Sequence, residues 1–512
     1  MTRDLSFRLM RGATLALMLG LPAAAQQQPL SASDWLSGSL KAPPRESSSW
    51  RPGQKPPPGV EGAAGNPRPV APSGSVGQVQ VTRLGHGDPD AAGTQSPRRA
   101  GLPADLWQGS ATADLLDPIR QTPARLPAMT ALMLRLLTAQ LPPPIPGPAD
   151  APADTDSGAD TGAGPAAVES GQLLLARADR LLDMGALDRA QALLMATGAG
   201  DPQIFRRLFD IALLEGDESR ACDIMNTTPG IAPSFAARIF CLAQTGDWAA
   251  AAISLSGAER LRLISADQAL LMQHFLDDTF VDSGEVLEPS QPMTPLNFRI
   301  FEAIGQPLPS LGLPIAFAQS DLRANNGWKT RLEAAERLAR IGAIDPGRLR
   351  AIYAEQKPPA SGGVWERAGA MRTLEAALAQ GDPAAALPAA FDQFRAAGMA
   401  DVLAAMVADE LPPNLEGRAG EVASWLRQWQ GLPAATPLPT DPVLLSGQTP
   451  PPAQRRGEAL LAAMADIDAG LDGDLARAGR GLAVLRGLGL EADANLAAAQ
   501  LSLLPVMTKA PQ

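Results

Sequence analysis

The chain has 512 residues, with 43 lysines and arginines against 54 aspartates and glutamates, and a formal net charge of −11 at pH 7. So acidic a balance lacks the basic footprint that phosphate backbones and anionic lipid surfaces require, which argues against nucleic acid and anionic lipid surfaces as partners. Aromatics are 4% of the chain, with a single tyrosine, so helices packed through small residues are favoured over a β-sandwich or barrel.

Residues 1–25 read as a signal peptide. Arg3, Arg8 and Arg11 form a positive start, and Gly12 to Leu21 is an apolar run too short to span a bilayer. Ala23 to Ala25 supply the small residues a signal peptidase needs, so cleavage after Ala25 is expected. No cysteine follows the run to carry a lipid anchor, and no later segment is apolar enough to be a membrane span. In a Gram-negative cell the mature chain is therefore expected in the periplasm.

Residues 26–100 are rich in proline, glycine and serine and read as a disordered tether. Two islands interrupt it. SASDWLSGSL carries Trp35 and Leu36, and VGQVQVTRLG alternates Val76, Val79, Val81 and Leu84. Each reads either as residual hydrophobicity in a tether or as a docking peptide, for a partner or for the body of the same chain.

Residues 101–141 hold the first helices of the body, with Met129, Leu132, Met133, Leu136 and Leu137 on one face. An acidic flexible linker follows at 142–167. Residues 168–431 read as continuous helix broken by a recurring corner: Gly185, Gly216-Asp217, Gly246-Asp247, Gly342 and Gly381-Asp382. A glycine can take the left-handed turn that stops one helix, and aspartate can cap the next. The first three corners recur about every 30 residues, one helical hairpin each, as in an α-solenoid.

Between Glu285 and Ala324 the period breaks, and one short helix followed by an extended loop packed on the body is expected. A Pro-rich loop spans 432–453. Three short helices at 454–505 form a C-terminal helical cap for the array. The fold class is thus all-α: a solenoid of helical hairpins behind a disordered tether.

The corners resemble the turn of tetratricopeptide repeats, degenerate because the period falls short of 34. LPADLW, LLDMGALDRAQALL, PSFAARIFCLAQTGDW, PLNFRIFEAIGQPLPSLGLPIAFAQSDLR and GWKTRLEAAERLARIGA, in this order, resemble a family of uncharacterised exported proteins of high-GC Gram-negative bacteria. Some of its members carry an "antifreeze glycopeptide" label that reflects Ala/Pro-rich composition. The resemblance implies a helical periplasmic protein and carries no catalytic residues.

Cys222 and Cys241, the only cysteines, flank a Pro229-Gly230 turn on adjacent antiparallel helices, each about two turns from it. In an oxidising compartment that placement reads as a disulfide. A metal pair would need histidine nearby, and His274 lies two helices on; a redox pair would be a tight C-x-x-C. No metal site or cofactor is expected.

No catalytic motif is present, neither HExxH, G-x-S-x-G, a P-loop nor a dinucleotide fingerprint. His86 lies in the tether, and His274 reads as a helix-surface or core-edge residue. Paired acids for glycoside cleavage remain: Asp277-Asp278, Asp409-Glu410 and Glu333/Glu336, although Glu333 can pair with Arg337 one turn on. Trp425 and Trp429, four apart on one helix, can stack on sugar rings or fill core. Trp328 and Lys329, opening a helix after the long loop, are the better interaction surface. Trp248 reads as packing between hairpins. The expected function is a non-catalytic periplasmic protein–protein scaffold, serving cell-envelope assembly and holding an envelope protein. The alternative is a peptidoglycan-acting enzyme or its helical accessory, using paired carboxylates.

Overall fold

At each glycine corner the chain folds back by the same hydrogen bond. The N–H of the residue after the corner glycine donates to a carbonyl five residues earlier: Ala186 to Leu181, Asp217 to Ala212 and Asp247 to Leu242 at 2.9 Å, with the same bond at Ala343–Leu338 and Asp382–Ala377. Gly185 (φ 69°) and Gly216 (φ 81°) are left-handed, as this closure requires. The aspartate half of the expected corner is weaker. Asp247 accepts the N–H of Ala250 at 3.1 Å, but Asp217 makes no side-chain cap, and the helix after Asp382 begins only at Ala386.

The computed structural model describes residues 35–36, 88–146, 170–277, 279, 284–448 and 454–508. The signal peptide, the Val76–Leu84 island, His86, most of the acidic linker and Asp278 lie outside the described residues. What is described is all-α apart from a two-residue parallel pairing of Gln108–Gly109 with Ile145–Pro146. Helices of eight residues or more are numbered here: α1 Thr112–Gln121, α2 Pro127–Thr138, α3 Gln172–Asp183, α4 Leu187–Met195, α5 Pro202–Glu215 and α6 Glu218–Thr227. Next come α7 Phe235–Gln244, α8 Trp248–Arg260, α9 Ala266–Leu276, α10 Pro295–Ala303, α11 Trp328–Arg340, α12 Pro346–Ala354 and α13 Val364–Gln380. The chain continues with α14 Ala386–Ala396, α15 Ala400–Val407, α16 Gly417–Trp429, α17 Arg456–Asp468, α18 Leu475–Gly487 and α19 Glu491–Met507. None of them is long and apolar enough to cross a membrane.

Ordered packing is already present at Asp88, ahead of the expected start at 101. Residues 88–100 carry little apolar surface, and polar groups order them instead. Asp90, almost fully buried, accepts the N–H groups of Gly171 (3.1 Å) and Leu174 (2.8 Å) and so caps α3. Arg177 of α3, fully buried, donates to the carbonyls of Leu137, Asp90, Ala92 and Ala139. One guanidinium thus ties the first ordered strap to the end of α2. Deeper in, Arg207 of α5 and Asp179 of α3 form a buried two-pronged pair at 2.5 and 2.8 Å.

The Pro-rich break folds as expected, one helix (α10) and then a loop lying on the first hairpins. It carries a 3₁₀ turn, Ile315–Phe317, and a single helical turn, Ala318–Asp321. Gln319 donates to the carbonyl of Gly185 at 2.8 Å, and Ser320 to that of Leu214 at 3.0 Å.

The C-terminal helices do more than cap an array. Besides meeting α16, they pack on α1 and α2 at the opposite end of the chain. Asp468 accepts the N–H of Leu126, and Gln500 accepts the N–H of Ala128 while donating to the carbonyl of Trp429. The buried side chains form two clusters among the described residues. One runs from Ala100 to Phe317 and takes in α17 and α18; the other covers Ala318 to Trp429. Helix α19 serves both, giving Leu501 to the first and Leu503 and Met507 to the second.

Candidate functional site

The cysteine pair lies on the hairpin next in the chain to a group of exposed apolar side chains. Cys222 of α6 and Cys241 of α7 are disulfide-bonded, with their Cα atoms 5.0 Å apart, and both are fully buried. The turn between the helices ends at Ser234, whose hydroxyl accepts the N–H of Ala237 at 3.1 Å and starts α7.

Helices α8 and α9 pack on the other side of α7. Phe240 of α7 stacks on Phe275 of α9 with centroids 5.4 Å apart, and Trp248 tilts onto Phe275 at 6.1 Å. The aromatic series therefore runs from the disulfide hairpin to the surface. Trp248 is 51% exposed, so it packs on one neighbour and presents the rest of its ring to solvent. Ile253 (75%), Leu261 (70%), Leu263 and Leu270 are exposed on the same hairpin. From Trp248 to Ala258 helix α8 carries no charge. A lone exposed leucine is ordinary, but five large apolar side chains exposed along one hairpin, interspersed with Glu259, Arg260, Arg262 and Asp267, single it out as a candidate contact surface.

A second feature arises where the corners meet. A cleft of about 480 Å³ is lined by Thr130 and Arg135 of α2, Asp188 and Arg189 of α4, Arg348 of α12 and Asp401 of α15. An adjoining cleft of about 450 Å³ shares Asp188 and Arg348 and adds Glu215 and Arg323. Burial, and then the nearby Asp188 carboxylate with which it hydrogen-bonds, pushes Glu215 up to about 7, with Arg348 pulling the other way. Burial likewise raises Asp401. The walls mix both charge signs, so no single ion is favoured, but Glu215 can hold or release a proton near neutral pH. Among the described residues no cluster of histidine, cysteine and carboxylate groups is placed to hold a metal ion.

The residues singled out from the sequence go to different places. Trp328 is a correction: it is 7% exposed, its indole donates to the carbonyl of Ile352 at 2.8 Å, and its ring lies 5.0 Å from Trp365. It fills core, and only Lys329 beside it faces solvent, 3.5 Å from Glu333. Trp429 is buried in the second cluster. Trp425 is half-buried beside Phe391, and the Arg418 guanidinium lies 4.7 Å from its ring centroid. The pair therefore offers no bare platform for a sugar ring. Trp248, expected between hairpins, is instead largely exposed. Trp35 and Leu36 are buried against the body, so these two side chains of the island dock within their own chain, while the rest of the island lies outside the described residues.

Four of the nominated carboxylates, Asp277, Glu333, Glu336 and Glu410, are engaged. Glu336 is buried and accepts from Tyr353 (2.7 Å) and Arg367 (2.6 Å). Glu333 pairs with Lys329 rather than Arg337, which reaches Ser310 instead. Glu410 grips Arg350, which holds its carboxyl below the usual range. Asp277 accepts the hydroxyl (2.7 Å) and N–H of Thr279. His274 is buried, its Nε2 3.6 Å from Glu285.

Sequence reasoning missed the exposed leucines and the Asp188–Glu215 pair. The uncharged stretch of α8 was a signal for the exposed Trp248 and Ile253 only; Leu261, Leu263 and Leu270 lie beyond it. The Asp188–Glu215 pair joins acids on different helices and leaves no local trace. No family model, no curated protein and no solved structure matches the chain.

Proposed function

We propose that the chain is an exported, non-catalytic interaction scaffold of the periplasm that grips an envelope protein. The observation that carries the reading is the exposed apolar hairpin α8–α9, with Trp248, Ile253, Leu261, Leu263 and Leu270 facing solvent. Burying such side chains against a partner is favourable by about 25 cal/mol per Å² before the costs of association. The disulfide of the adjoining hairpin keeps the supporting helices in register, so less order is lost on binding. Export is supported by the leader-like residues 1–25 and by a disulfide of the kind oxidising compartments sustain. The tether-like N-terminal composition gives reach toward the partner. The engagement of Glu333, Glu336, Glu410 and Asp277 favours this reading over a peptidoglycan-acting enzyme.

The test is site-specific photocrosslinking in living cells with the reactive residue at Ile253, Leu263 or, as a control, the exposed Val443. A discrete adduct at the first two and not at the control is expected. Absence of any adduct, or release of soluble muropeptides when purified protein is incubated with peptidoglycan, overturns the scaffold.

A further inference from the structure

Trp35 and Leu36 are 1% and 2% exposed and belong to the first core cluster. Their setting in the chain is that of a ligand rather than a core element. Ser31-Ala32-Ser33-Asp34 precede them and Ser37-Gly38-Ser39 follow, all small or polar. Asp88, where ordered packing is already present, is separated from them by a stretch rich in proline, glycine and serine. A two-residue apolar anchor on a polar segment is how short peptides are recognised: the anchor fills a pocket and the flanks supply solubility.

The receiving surface is aromatic. The Trp35 ring stands edge-on to Phe317 with centroids 5.6 Å apart, and Phe317 stands edge-on to Phe298 at 5.2 Å. Phe298 is on α10 and Phe317 on the 3₁₀ turn, so the Pro-rich break builds the pocket. Edge-to-face packing adds to simple burial. The buried indole Nε1 of Trp35 has no hydrogen-bond partner among the described residues, as is true of Trp107 and Trp429 in the two cores. An unpaired buried N–H takes back part of what burial contributes.

We infer that α10 and the Ile315–Phe317 turn form a recognition pocket for a short peptide with adjacent tryptophan and leucine, held in the resting molecule by the chain's own Trp35-Leu36. The occupant that replaces it is a partner peptide of the same chemistry: a small or acidic residue, then Trp-Leu, then small residues. A linker of this composition holds its own ligand at an effective concentration on the order of 1 mM, so the free pocket is exposed rarely. For a peptide of ~10 μM intrinsic Kd, the occupied protein binds about 100-fold more weakly than the emptied one. The N-terminal segment is thereby an intramolecular competitor. This inference is independent of the α8–α9 surface.

The experiment uses a fluorescent peptide of residues 31–40, the same peptide with Trp35→Ala, the wild-type protein, and the full chain carrying Trp35→Ala and Leu36→Ala. Tight binding of the natural peptide to the double variant, about 100-fold weaker binding to wild type, and none of the altered peptide are expected. Equal binding to both proteins, or none to a double variant that melts cooperatively, overturns the pocket. Should the double variant fail to fold, a protease site inserted at Gly59 of the wild-type chain replaces it, and cleavage follows folding. Loss of the N-terminal fragment on gel filtration, with the remaining body still folded, supports an exchangeable ligand; retention of the fragment overturns it. A wild-type dimer that dissociates on Trp35→Ala also overturns it, because the anchor then acts between copies.

Discussion

The carboxylate of Asp468 accepts the backbone N–H of Leu126, 342 residues away in sequence, at 3.0 Å, and so begins α2 from the far end of the chain. It also accepts the N–H of Arg125 at 2.6 Å, and the guanidinium of Arg125 reaches Asp472 at 2.7 Å. Burial pushes the Asp468 carboxyl up while these N–H groups pull it down. Asp468→Ala leaves two N–H groups at the start of α2 without this acceptor and is expected to cost about 2–4 kcal/mol. Asp468→Asn, which retains one acceptor, costs less. Urea denaturation with an unchanged m-value checks both.

The Cys222–Cys241 bond closes a loop that is open in the unfolded chain. Its removal by Cys222→Ala with Cys241→Ala is expected to cost about 3 kcal/mol. Thiol titration of unfolded, unreduced protein reads no free sulfhydryl if the bond is formed, and two reactive thiols would contradict it.

Arg177 is fully buried and satisfied by four carbonyls. Burial lowers it to about 10, with Asp90 opposing, so it stays charged at neutral pH. Lysine lacks the fork that reaches Leu137, Ala139 and Ala92 together. Arg177→Lys should cost about 2–3 kcal/mol, and Arg177→Met as much or more. Hydrogen exchange will report early opening of residues 88–100 in both variants.

Glu215 makes stability depend on pH. Its folded value of about 7 lies above the ordinary 4.5. The stabilising difference is therefore fully present below about pH 4.5 and is lost as pH rises toward 7. Glu215 is only partly buried, so solvent screening reduces the effect to on the order of 1 kcal/mol. Glu215→Gln should flatten the curve between pH 4.5 and 7, with differences in urea midpoint as the readout. An unchanged slope there would sink the assignment.

Ile253→Asp and Leu263→Asp replace exposed side chains and should change stability by less than about 0.5 kcal/mol. Each should abolish the crosslinked partner adduct. A variant that melts like wild type yet retains the adduct moves the contact surface elsewhere.

The helical class and the corners were legible because glycine at a left-handed position marks the sequence wherever it occurs. The disulfide was legible because two cysteines at equal distance from a turn have one simple use. Closure of the chain on itself was not. Asp468 and Gln500 look like any polar residue on an alanine-rich helix, and nothing local tells that their partners are Leu126 and Ala128. Residues 88–100 read as tether because their order comes from Asp90 and Arg177, not from apolar spacing. Trp328 read as surface because it opens a helix after a loop; the carbonyl of Ile352 that takes its indole N–H lies on the next helix, α12.

Helix α19 has a consequence for how the molecule is made. It is translated after every other described helix, yet both cores need its side chains. Vectorial synthesis can assemble the hairpins in order, but the seam between the cores must wait for Glu491–Met507 to emerge. A nonsense or frameshift product ending before Glu491 leaves both cores open along that seam. Such a product carries apolar side chains of both cores into solvent, where they are open to aggregation and proteolysis.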